Sequence, residues 1–258
     1  MRGSYTSMFI ILRRLAAPLA GAVLLAACSR ATAARDTRDV EARFQDAMRA
    51  FRGGSFDRAL ASFQSVQFEL SSRDTLLPRA RFYMAESHAG LEDFIAAARE
   101  FRRVADDFPS DAMAPLALLR AGDQYGRMWR RPELDPTNGE TALATYQELI
   151  GRFPESPAAR IAETRIRQLQ EMYARKDYEN GLFYFKRGGW DSAILYFRSL
   201  IANYPGASVV PDAYVRLVQA YDAIGYVEEK RETCEHLREH FGGRQDVRRL
   251  CGDRSPGR

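Results

Sequence analysis

The strongest constraint on the fold of this 258-residue chain is a pattern that recurs along it. A small Ala is followed four residues later by an aromatic and three after that by an aliphatic. The sets are Ala59, Phe63, Val66; Ala97, Phe101, Val104; Ala142, Tyr146, Leu149; and Ala193, Phe197, Leu200. Steps of four and three place all three side chains on one face of a helix. Phe108-Pro109, Phe153-Pro154 and Tyr204-Pro205 follow, each proline twelve residues after the Ala, and proline cannot continue a helix interior. A fifth copy reads Lys230, Cys234, Leu237.

A small residue where two helices touch and an aromatic filling the space beside it is what a stack of helix pairs needs. The pattern resembles the second helix of the tetratricopeptide repeat (TPR), a unit that buries its apolar face only against its neighbours. The expected fold is all-α, a TPR-like solenoid of about five helix pairs over Asp39–Phe241. Between the second and third copies, Arg130–Gly139 carries two prolines and Asn-Gly and is predicted to be a loop. The third and fourth copies lie farther apart than the others. Ala158–Arg187 has no proline and one glycine, with Ser156 placed to cap and Pro157 to open a helix. A long helix over 156–187 is therefore expected to join a front module, 39–155, to a rear module, 188–251.

The amino terminus is a separate matter. Arg2, Arg13 and Arg14 precede an uncharged run, Leu15–Ala27, too short to span a bilayer, as in a secretory signal. Leu25-Ala26-Ala27-Cys28 resembles a bacterial lipobox, which implies a signal over 1–27, lipidation of Cys28 and a tether over 28–38; Ser29 then suggests the outer membrane. Several acyl chains give the stable anchoring that one does not. The chain has 38 basic and 34 acidic residues; three of the basic ones lie in the signal, so the processed chain is nearly neutral and gives no support to nucleic-acid binding. Residues 252–258 should be a frayed tail.

No catalytic constellation, phosphate loop, cofactor motif or metal set stands out. His236 and His240 share a helix face but lack an evident third ligand. Cys234 and Cys251 remain as an even pair in an oxidising compartment, either bridged, with 244–251 folded back as a short cap, or as two separate thiols. Function is then expected on surfaces. Repeat alignment places Phe44, Met48, Phe51, Phe82, Glu86, Leu119, Asp123 and Arg127 toward a concave peptide groove, or in part within the core between repeats.

The turns Phe51-Arg52-Gly53-Gly54-Ser55-Phe56 and Tyr184-Phe185-Lys186-Arg187-Gly188-Gly189-Trp190, the lipobox, the third-repeat insertion and the long helix together resemble the BamD family, lipoproteins of the β-barrel assembly machinery. The resemblance implies a scaffold at the periplasmic face of the outer membrane. It would dock the periplasmic domains of a BamA-like β-barrel protein through its rear repeats, here Tyr196, Arg198 and Tyr226, and hold unfolded outer-membrane proteins in its front groove. The alternative is another periplasmic TPR lipoprotein, a pilus-secretin pilotin or a Tol-linked envelope factor.

Overall fold

The computed structural model describes residues 39–252. Cys28, the signal over 1–27 and the tether lie outside them, as do residues 253–258. Eleven helices and no strand occur among the described residues. They are α1 (39–52), α2 (Phe56–Glu69), α3 (Leu77–Gly90), α4 (Phe94–Asp107), α5 (Ala114–Met128), α6 (Thr137–Arg152), α7 (Pro157–Phe185), α8 (Trp190–Asn203), α9 (Val210–Ile224), α10 (Val227–Phe241) and α11 (Gln245–Cys251). The chain divides into two compact units, one ending at Glu100 and one starting at Phe101. The division falls inside α4, and α6 packs directly on α7.

The repeated signature is the core of both units. Ala59, Phe63 and Val66 in the first, and Phe101, Val104, Ala142, Tyr146, Leu149, Ala193, Phe197 and Leu200 in the second, are each at most 2% exposed. In the first unit α1, α2 and α3 close around Phe44, Phe63 and Met84. In the second, α5 pairs with α6, α7 with α8, and α9 with α10, while α11 folds back on α9 and α10.

α7 is a single helix of 29 residues, about 43 Å long at 1.5 Å per residue. The Ser156 hydroxyl accepts a hydrogen bond from the Ala159 amide at 3.1 Å, and Pro157 opens the first turn, where no amide is needed. Its one glycine, Gly181, lies where α8 comes closest: a Cβ there would sit 2.5 Å from the Phe197 ring. The helix ends in a turn through Gly188, whose φ of 75° a side chain would disfavour.

The predicted loop over 130–139 is shorter than expected. α6 begins at Thr137, because Asp135 Oδ1 accepts the Thr137 amide at 3.0 Å and starts the first turn. Lys176 on α7 donates to the Pro132 and Leu134 carbonyls at 3.1 and 3.0 Å and clips the loop down. Beneath it Trp129, 1% exposed, packs on Tyr173 at 4.5 Å, which stacks on Tyr204. Burial pushes the Tyr173 hydroxyl up to about 12.

Candidate functional site: the rear groove

The expected front groove is not assembled as the alignment placed it. Phe44 is fully buried, ringed by Phe63 at 5.6 Å and Tyr83 at 6.4 Å, with the Arg79 guanidinium 5.1 Å over its face. Met48 and Phe82 are each 5% exposed. Phe51 is half-buried between Phe56 and Tyr83. These side chains are the apolar core of the first unit, and a ligand would have to displace them to touch them. The physical reason is that a first helix contributes the same stripe to its own partner and to the next repeat, so helical spacing marks a buried face without saying what covers it. Glu86, half-buried, is the exception within that stripe.

In the second unit Leu119 is also core, at 3% exposure. Asp123 is half-buried and accepts from the Tyr146 hydroxyl at 2.9 Å and from Arg165 Nε at 2.9 Å. Burial and the adjacent Asp123 carboxylate hold the Tyr146 hydroxyl far above its ordinary value. Asp123 therefore ties α5, α6 and α7 together. Arg127 is exposed one turn further along α5. Sequence reasoning missed Arg165, since nothing in its spacing connects it to position 123.

The rear residues lie on the surface. On α8, Arg198 is exposed and Tyr196 half-buried; Tyr226, before α10, is 48% exposed. Tyr196 stacks on Tyr184 with ring centroids 5.6 Å apart, and Tyr226 stacks on Tyr221 at 6.2 Å. The nearby Arg198 guanidinium partly offsets the upward push of burial on the Tyr221 hydroxyl. Arg198 also stands at the edge of a groove of about 300 Å³ between α8, α9 and α10. Its floor is Ile201, Ala202, Tyr214, Leu217 and Tyr221; Glu229 and Glu232 face Arg198 from α10. Leu195 on α8 is 68% and Val227 on α10 is 75% exposed, large apolar side chains that water does not favour. The groove thus offers an apolar floor between a positive and a negative wall. Leu195 was legible: two residues after buried Ala193, it must point outward. Glu229 and Glu232 were not: Cys234 and Leu237 set the register of α10, but helical spacing does not name the neighbour that its exposed face meets.

His236 packs at a tilt against Tyr214 at 4.5 Å and stacks on His240 at 4.2 Å. Burial, and next the neighbouring His240, lower its pKa. No cluster of three or more His, Cys, Asp or Glu able to hold a metal ion occurs among the described residues. Cys234, buried, and Cys251, half-exposed, are disulfide-bonded with Cα atoms 5.4 Å apart. No helix among the described residues is long and apolar enough to cross a membrane.

The fold and this surface define a helical-repeat protein. The model of the YfiO family, described as outer membrane lipoproteins, matches residues 39–237, and the chain belongs to that family. It is 26% identical over 226 residues to the outer membrane protein assembly factor BamD of Caulobacter vibrioides, covering 84% of this chain and 72% of that one. It is 23% identical to the protein of the same name from Neisseria meningitidis serogroup A, over 86% of this chain and 88% of that one. The match to the Vibrio cholerae relative, at 28% identity, spans 40% of this chain and 43% of that one. Among solved structures, the TPR2AB-domain:pHSP90 complex of yeast Sti1 overlays with a TM-score of 0.44 at 12% identity, over 82% of this chain and 81% of that one. This overlay is too loose to extend the helix-by-helix description.

Proposed function

We propose that this chain is a scaffold of outer-membrane protein assembly, held by lipid on Cys28 at the periplasmic face of the outer membrane. Its rear groove would dock the periplasmic domains of a BamA-like β-barrel protein, and the scaffold would also hold unfolded outer-membrane proteins. The observation that carries the docking reading is the groove lined by Arg198 and by Glu229 and Glu232, with Leu195, Tyr226 and Val227 exposed on the same helices or at their ends. An apolar centre rimmed by both signs of charge suits a folded partner, since aromatic and aliphatic anchors supply affinity and the charges fix register. Relatives named as assembly factors support the reading. Contacts to unfolded clients are assigned to surface residues, not to Phe44, Met48, Phe82 or Leu119, which are buried.

Affinity purification from the native membrane tests this. A β-barrel protein with soluble repeat domains should be recovered with the wild type and lost with Arg198→Glu. Recovery of pilus-secretin or Tol components in its place would replace the reading. For the anchor, labelled palmitate should enter the wild type and not Cys28→Ala; equal labelling would remove the lipoprotein claim.

A further inference from the structure

The described chain ends in an arrangement that the docking reading does not use. A stack of helix pairs leaves an apolar face at its last repeat. Here that face is Val215, Val218 and Leu237, and α11 covers it. α11 has seven residues, and Val247 is its one fully buried anchor, with Leu250 at the edge. Its polar ties are peripheral: Arg244 reaches Asp212 at 2.5 Å and Arg238 reaches the Cys251 carbonyl at 2.7 Å. A helix this short has little stability of its own. The remaining tie is covalent, from Cys251 to Cys234 on α10 across 17 positions.

We propose that Cys234–Cys251 is a thiol-gated clasp, closed over the apolar end of the array when oxidised and released by a dithiol reductant. A thiolate of the reductant attacks Sγ of Cys251, the more exposed sulfur. The S–S bond breaks, a mixed disulfide forms at Cys251, and the electron pair leaves on Cys234, which takes a proton. The second thiol of the reductant then displaces Cys251 as a thiol and leaves as the oxidised disulfide. A cross-link closing a loop of this length favours the closed cap by roughly a hundredfold in the entropy model. Opening uncovers the face that a further repeat would cover, so the array could then accept another amphipathic helix.

The test uses the full chain purified without reductant. Peptide mapping should first find the linked pair; two free, alkylatable thiols would overturn the proposal. Hydrogen exchange is then followed with and without dithiothreitol. The Arg248 and Gly252 amides, bonded to the Arg244 and Arg248 carbonyls, should exchange about a hundredfold faster on reduction, with α8 and α9 unchanged. Cys251→Ser should match the reduced wild type and ignore the reagent. Val247→Ala should stay protected while oxidised and lose protection when reduced. Unchanged exchange in α11 after full reduction would overturn the clasp, and so would equal loosening of α9 and α10, which would make the bridge a staple of the whole repeat.

Discussion

At single positions, close packing outweighs helix propensity. Gly181 lies inside α7, four residues before its end, where alanine would normally gain up to about 1 kcal/mol. A Cβ there would meet the Phe197 ring at 2.5 Å, and overpacking costs about 1–3 kcal/mol, so Gly181→Ala should lower Tm by a few °C. Ala193, fully buried in the same core, should respond the same way to Ala193→Leu; an unchanged melting temperature would mean that the helices do not meet there. Ionisation matters at His236. Its folded pKa is depressed by burial and by His240, with Glu239 opposing, so the unfolded chain binds the proton more readily. The contribution is intact above the unfolded histidine value, about 6.5, and is lost as pH falls through the lower folded value. Urea midpoints for wild type and His236→Gln should therefore converge on acidification.

The helices were legible as elements because their signals are local. Ala193, Phe197 and Leu200 fixed the face of α8, and Ser156-Pro157 fixed the start of α7. What covers each face was not legible. Phe44 and Phe82 have the spacing of a groove floor and the burial of a core, and the difference lies in distant neighbours that spacing does not name. The loop before α6 was overextended for a related reason: Asn138-Gly139 reads as a turn, yet with Asp135 accepting the Thr137 amide the helix starts at Thr137, three residues earlier than expected. That loop is held by Lys176 alone among the side-chain bonds described to its carbonyls at 132 and 134. Lys176→Met should leave Tm nearly unchanged and speed tryptic cleavage between Arg130 and Arg131 several-fold, since proteolysis follows local opening. The bond after Arg131 precedes proline and is a poor tryptic site. Equal cleavage rates would show that other contacts hold the loop.

For the molecule as a whole, docking and stability should separate. Arg198 is exposed on α8, while the core beneath it, Ala193, Phe197 and Leu200, is shut from water. Reversing its charge alters an exposed side chain and no buried packing, so the fold should lose at most about 0.5 kcal/mol. Binding should change more, because Arg198→Glu places a third carboxylate around a groove whose far wall already carries Glu229 and Glu232. A partner matched to one positive and one negative wall then meets negative charge on both. Like charges brought together across an interface cost several kcal/mol, so the proposed affinity should fall by tenfold or more. Rim charges act chiefly on association and are screened over about 8 Å at physiological ionic strength, so the defect should shrink as salt is raised. Leu195→Ala should behave differently: its loss is of apolar area, roughly 1–2 kcal/mol if the side chain is buried on docking, and largely independent of salt. Binding of both variants to the recovered barrel protein, measured at low and high salt beside their melting temperatures, separates these effects. Wild-type affinity in both variants would place the docking surface elsewhere on the chain.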